Sequence, residues 1–308
     1  MRYGEPLSDA RTPLADFFRI LLSSMCDPLR GFSSKGVLMM DRRRWAVGLW
    51  SAMVLSVLAG PSSAGAHFVW VEADATAPSE MGQPFKVYFG EYSEFLREER
   101  GGRLDSIDGV TLRVQDSKQG TTEVALTKQV NHFAGALPSC LPGRNAVVAQ
   151  QAQAPVQDLR KHDIGLVKPM FYARTYFMCL EEGRINEHER EQAAPMALDM
   201  IPLTKGLNLA TGRVSHVPGG EIVVKGFFKG QPLPNTTVLV HAPIGWDKEL
   251  KTDGEGIVAF TPLWPGRYVL ELIHVDKTPG EFQGKAYEAL RHRSTLAIQV
   301  RPERSGEK

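Results

Sequence analysis

EIVVKGFFKGQPLPNTTVLVHAPIGWDKELKTDGEGIVAFTPLWPGRYVLELIHV, residues 221–275, decides the fold class. Glu221-Ile222-Val223-Val224-Lys225 is a short β-branched run, and Lys229-Gly230-Gln231-Pro232 follows as a turn set by Gly and Pro. Thr236 to His241 is the next strand. Lys251-Thr252-Asp253-Gly254-Glu255-Gly256 carries a hairpin signal, in which Asp-Gly supplies the positive φ of a tight turn. Ile257 to Phe260, Trp264-Pro265-Gly266 and Tyr268 to Val275 continue the rhythm, and Ser294 to Val300 completes it. Strands at this spacing, with no helical pattern between them, predict a sandwich rather than an α/β architecture.

Working toward the N-terminus, the same pattern recurs. His67-Phe68-Val69-Trp70-Val71 and Phe85-Lys86-Val87-Tyr88-Phe89 are short, β-branched and aromatic, with Pro78, Gly82 and Pro84 between them. Val110 to Val114, Thr122 to Leu126, Phe171 to Cys179 and Ala197 to Ile201 extend the set. Glu91 to Arg100 is charged and predicts a short surface helix. Between about Asn131 and Asp163 the periodicity fails, and the Gln/Ala/Pro-rich sequence predicts an insertion or long loop. Leu203 to Thr211 reads as a joint. The expected fold is all-β, with two immunoglobulin-like or transthyretin-like β-sandwich domains: residues 67–203, carrying the 131–163 insertion, and residues 204–303.

The segment ahead of His67 reads as an export signal. Arg42, Arg43 and Arg44 form a positive start, Trp45 to Gly60 an apolar run, and Pro61 to Ala66 a small-residue end. The apolar run falls short of the roughly 20 residues of a bilayer span, so cleavage is expected rather than anchoring. Residues 40–66 are thus the expected signal peptide, with Met39 or Met40 as the true start and residues 1–39 a non-native extension. An unusually long leader is the alternative. A periplasmic or secreted protein that does not span the membrane follows. Of the 36 Lys/Arg and 35 Asp/Glu, 28 and 30 remain beyond residue 66, a net charge of −2. That balance disfavours nucleic-acid binding. Cys26 falls in the discarded part, leaving Cys140 and Cys179 as an even pair in a compartment that permits disulfides.

Several segments resemble a known family. They are Ala197-Leu198-Asp199-Met200-Ile201-Pro202-Leu203, Phe228-Lys229-Gly230-Gln231-Pro232-Leu233, Lys251 to Gly256, Pro265-Gly266-Arg267-Tyr268 and Arg291-His292-Arg293-Ser294-Thr295-Leu296, with His67-Phe68-Val69-Trp70 at the start. Together they resemble an exported domain-of-unknown-function family labelled as a periplasmic component of cobalt/nickel uptake. The C-terminal part is also similar to carboxypeptidase-regulatory-like, transthyretin-type sandwiches. The resemblance implies a metal ion as ligand and an inner-membrane metal-uptake complex as partner.

The chemistry is expected at His67. Cleavage after Ala66 satisfies the small-x-small rule through Ala64 and Ala66 and makes His67 the first residue. A terminal histidine offers one ion both its α-amine and a ring nitrogen. Cleavage after Ala64 would instead leave Gly65-Ala66-His67, a square-planar nitrogen set for Cu(II) or Ni(II). Further ligands must come from the other seven histidines. By strand alternation His274 shares a face with Tyr268, Leu270 and Leu272, and His292 with Ser294, Leu296 and Ile298. The metal-ligand candidates are therefore His67, His274 and His292, for a divalent transition ion (Ni, Co or Cu). A histidine that ends an apolar face is, however, more often a hydrogen-bonded core-edge residue. His132 and His162 flank the irregular stretch, His188 lies in a polar run, and His216 and His241 have no distinguishing context. Imidazole ligation implies that affinity falls below about pH 6.

Enzymatic signatures are missing. There is no Gly-x-Ser-x-Gly elbow, no His-Glu-x-x-His and no phosphate-cradling glycine loop. Glu181-Glu182 sits in a charged run, and Trp246 and Trp264 beside turns suit the open ends of sandwiches better than a sugar site. The sequence therefore predicts a non-enzymatic, soluble periplasmic metal-binding protein. A histidine-brace copper oxidase and a purely structural or adhesive module are the competing readings.

Overall fold

Eight strands run side by side through the middle of the protein. In order they are Asp247–Lys251, Thr237–His241, Gly266–Asp276, Ala289–Val300, Leu166–Leu180, Gly143–Gln151, Thr111–Gln115 and Thr121–Val124, with Gln157–Asp158 and Thr76–Pro78 added against Leu166–Leu180. This computed structural model describes residues 67–74, 76–78, 82–116, 118, 120–180, 196–204, 207–208, 213–214 and 216–302. The expected extension (1–39), the signal peptide (40–66), Glu181-Glu182, His188 and most of the joint lie outside the described residues. Among those described, the structure is all-β apart from two short 3₁₀ turns, and no helix is long and apolar enough to cross a membrane.

Neighbours in the central sheet are antiparallel, except where Leu166–Leu180 meets Ala289–Val300. There the register runs parallel from Val167↔Ala289 to Arg174↔Leu296. Thr76–Pro78 also joins Leu166–Leu180 in parallel. The two sandwich halves expected on either side of residue 203 therefore share one sheet, and all described residues fall in the compact unit Ser63–Lys308.

Side-chain alternation gives this sheet two different faces. Phe171, Ala173, Phe177, Val147, Ala149 and Leu112 pack with Val69, Val71, Phe85 and Val87, from the sheet formed by Phe68–Ala73, Gln83–Glu91 and Phe133–Leu137. Tyr172, Leu270, Leu272 and Leu296 face the other way. They pack with Leu198, Met200, Ile222, Val224 and Val258, from the sheet built on Leu198–Pro202, Ile222–Phe228 and Ile257–Phe260.

Three expectations are corrected. The 131–163 insertion contains Phe133–Leu137, in the N-terminal sheet, and Gly143–Gln151, a central strand paired with Leu166–Leu180. Its alternation vanishes because Ala146, Val147, Val148 and Ala149 are buried on both faces. The surface helix expected over Glu91–Arg100 is instead a tight reversal. Gly90, at φ 154°, lets Leu96–Arg97 pair back onto the preceding strand, where any Cβ would stand 2.2 Å from the Leu96 carbonyl oxygen. Lys251–Gly256 is not a hairpin either, since Asp247–Lys251 belongs to the central sheet and Ile257–Phe260 to an outer one. The positive φ falls on Gly256 (77°), whose absent Cβ allows the Gly226 carbonyl oxygen and the Leu233 amide to approach. Asp253 fastens this crossing by accepting the Glu255 and Ile257 amides at 2.9 and 2.8 Å.

One buried ion pair joins the central sheet to the outer one. Arg174 donates from Nε to Asp199 Oδ1 at 2.8 Å and from Nη2 to Oδ2 at 2.5 Å, with both side chains fully buried. The Met200 amide also donates to Asp199 Oδ1, and Arg174 Nη1 to the Tyr176 hydroxyl. Asp199→Ala strands the guanidinium, so urea unfolding is expected to show a loss of about 3–5 kcal/mol. A joint Arg174→Met, Asp199→Leu replacement should lose far less; equal losses would contradict this account.

Cys140 and Cys179 are disulfide-bonded, closing a segment of sequence separation 39. Restricting an unfolded loop of that size stabilises by about 4 kcal/mol in the chain-entropy picture. Cys140→Ser is expected to lower the unfolding free energy by about 2–5 kcal/mol, and reduction of the wild type should lower it to a similar degree.

Candidate functional site

His67 immediately precedes the first strand, Phe68–Ala73, with its side chain largely covered. Its Nδ1 lies 3.1 Å from Glu91 Oε1, and its Nε2 makes a short contact with Glu98 Oε1. Arg103 Nη1 is 3.4 and 3.2 Å from the two ring nitrogens, and the ring packs 5.5 Å from that of Phe89. The reversal at Gly90 sets both glutamates here, because it folds the chain carrying Glu98 back alongside the strand that ends at Glu91.

The main chain of His67 is anchored as well. Arg293 donates from Nη1 to the His67 carbonyl at 2.9 Å, and two residues on, Thr295 Oγ1 donates to the Val69 carbonyl at 2.7 Å. Arg293 is itself fixed by Glu271, which accepts from its Nε in a short hydrogen bond. Glu271 Oε2 lies 3.3 Å from His241 Nε2, and His241 Nδ1 lies 2.8 Å from Asp247 Oδ1. Phe68 closes the group, stacking on the His241 ring at 5.2 Å with the Arg293 guanidinium 5.3 Å from its own ring. An ionic chain, Asp247–His241–Glu271–Arg293, therefore runs across four strands to the backbone of residue 67.

Burial alone would lower the His241 pKa, but hydrogen bonds to Asp247 and Glu271 and the charges of both raise it to about 9. Burial would raise the Glu271 pKa, but the Arg293 charge and the His241 hydrogen bond hold it below the ordinary carboxylate value. His241 is thus a cation at neutral pH, between two carboxylates. Sequence reasoning left it without context. The available signal was the lone acid in Val269-Leu270-Glu271-Leu272-Ile273, a charge inside an apolar run.

The three expected ligands do not converge. His274 and His292 face each other across adjacent strands, on the face bearing Leu270 and Leu296. Arg293, the next residue, points to the opposite face and there holds His67. Of the remaining histidines, His132 hydrogen-bonds Asn131 and packs on Tyr88, and His162 ends a 3₁₀ turn. Among the described residues, no group of three or more His, Cys, Asp and Glu side chains is arranged to hold a metal. Trp246 and Trp264 meet edge to face at 5.8 Å, with Trp246 exposed.

The profile of a domain of unknown function (DUF4198) matches residues 64–276, and the chain belongs to that family. No curated protein matches it. Among solved structures, a DUF4785 family protein from Legionella pneumophila is similar at 13% identity and a TM-score of 0.25, over 66% of this chain and 51% of that one. The chain thus covers about half the length of that protein.

A folded-state pKa of about 9 for His241, against an ordinary value of about 6.5, means its stabilisation is full below about pH 6.5 and is lost as pH rises through 9. Lys168, whose pKa burial lowers to about 8, acts with the opposite sign. The His241 contribution is therefore read as a difference. Urea unfolding of wild type and His241→Gln at pH 6.5 and 9.5 should differ by about 2–3 kcal/mol more at the lower pH. Equal differences at the two pH values would refute the ionic assignment.

Proposed function

We propose that this DUF4198 protein is an exported, periplasmic metal-binding protein that carries Ni, Co or Cu to an inner-membrane uptake complex, with His67 as its principal donor. One observation carries the reading. The imidazole of His67 stands between the carboxylates of Glu91 and Glu98, on a backbone anchored by Arg293. A cut after Ala66 gives that residue a free α-amine, and a terminal histidine then supplies two donors from one position. Such a chelate does not require three converging side chains.

The carboxylates fit this role in two ways. Either can lend an oxygen donor to the ion. Either can also accept the N–H of the ring nitrogen that the metal does not use, which orients a metal-bound imidazole and raises its basicity. Arg103 already sets a positive group against the same ring, and an incoming ion would displace it. The Cys140–Cys179 bridge supports an oxidising compartment, where structural disulfides persist. The resemblance of the His67-Phe68-Val69-Trp70 start to the family labelled for cobalt/nickel uptake points the same way. No residue is assigned a catalytic role.

N-terminal mass spectrometry of the protein recovered after export, followed by calorimetric titration with Ni(II), Co(II) and Cu(II), tests the reading. The expected outcome is a chain starting at His67 or Gly65 that binds one equivalent, with affinity falling below about pH 6. His67→Ala should weaken binding at least tenfold, and Glu98→Gln by about 10–100-fold. Substoichiometric binding by correctly processed protein, or binding unchanged in His67→Ala, would sink the proposal.

A further inference from the structure

On the face of the central sheet turned away from His67, the register brings a second pair of histidines side by side. His274 and His292 are direct cross-strand partners, so their β-carbons stand about 5 Å apart on one face. The Phe228 ring packs against both, at 4.1 and 5.3 Å between centroids. His292 lies parallel to Tyr172, with its Nδ1 3.0 Å from the tyrosine hydroxyl.

His292 is 3% exposed, and its Nε2 is buried without a hydrogen-bond partner. A buried polar atom in that condition calls for an explanation. The acid on the same side, Asp276, is engaged by Lys229 at 2.9 Å and Thr278 at 2.7 Å.

We propose that His274 and His292 form a two-coordinate site for a soft monovalent cation, Cu(I), separate from the terminal site and independent of it. Two neutral donors among aromatic rings cannot offset a divalent charge, and a monovalent ion halves the charge brought out of water. Imidazole is a good copper ligand. Metal–nitrogen bonds of about 2 Å place the two donor atoms about 4 Å apart, a span that suits rings whose β-carbons face each other at about 5 Å. In the tautomer where Nδ1–H donates to the Tyr172 hydroxyl oxygen, the lone pair resides on Nε2. A metal-bound histidine makes the same kind of outer contact. Of the two rings, His274 is the more exposed and is the one an ion from solvent would meet first.

Anaerobic competition for Cu(I) presented as its bathocuproine disulfonate complex tests the site, with copper K-edge absorption reading the coordination. One Cu(I) per chain with two nitrogen neighbours is expected, retained in His67→Ala and weakened at least tenfold in His274→Ala. His274→Met, which restores a soft donor at the half-exposed position, should recover much of the affinity. The proposal is overturned if folded protein takes no Cu(I), if His274→Ala and His292→Gln bind as wild type does, or if His67→Ala alone abolishes binding. That last result would move Cu(I) to the terminal site, whereas failure of the terminal reading leaves this one standing.

Discussion

Leu166–Leu180 and Ala289–Val300 lie side by side in parallel register, and most of what is distinctive in the molecule follows from that pairing. It joins strands more than a hundred residues apart into one sheet, so the N-terminal and C-terminal halves share a layer. Because side chains alternate along a strand, the register also assigns neighbours. Arg293 falls beside Phe171 on the face toward the N-terminal sheet, and Ser294 beside Tyr172 on the other. His292 and Arg293, adjacent in sequence, therefore serve opposite faces. Arg293 anchors the backbone of His67 directly, and His292 meets His274.

The two faces deal with buried polarity differently. Toward the N-terminal sheet, charge is kept and compensated in alternating order: Asp247, His241, Glu271, Arg293. The end of that chain fixes a carbonyl, so its energetic consequence is the position of residue 67 as much as stability. Toward the other sheet, one forked pair, Arg174 with Asp199, ties the layers together. His274 and His292 on that face sit among aromatic rings. A charged network holds its members in place, since removing one strands the rest. The His292 Nε2, buried without a hydrogen-bond partner, belongs to no such network, and this sets the two faces apart.

Family membership covers these features unevenly. Residues 64–276 include His67, Glu91, Glu98, His241, Glu271 and His274, whereas His292 and Arg293 lie beyond the matched segment. Each of the two places described here thus depends on a partner contributed by the last strand.

The sequence by itself determined the β class, most strand positions and the pairing partners available to the cysteines, because period-two patterns and turn residues are local properties. It also marked His67, His274 and His292, His274 by parity and His292 by parity together with its place in the resembling segment Arg291 to Leu296. Gly143–Gln151 escaped it, since a strand buried on both faces loses alternation and reads as a featureless Ala/Val/Gln run. The crossing at Gly256 passed for a hairpin because the same turn residues serve both. Tertiary structure alone decided that His67 and His292 occupy opposite faces and that His274 and His292 meet. It also decided that His241, unremarkable in sequence, sits charged between two acids. Those facts depend on the register between distant strands, which no local pattern encodes.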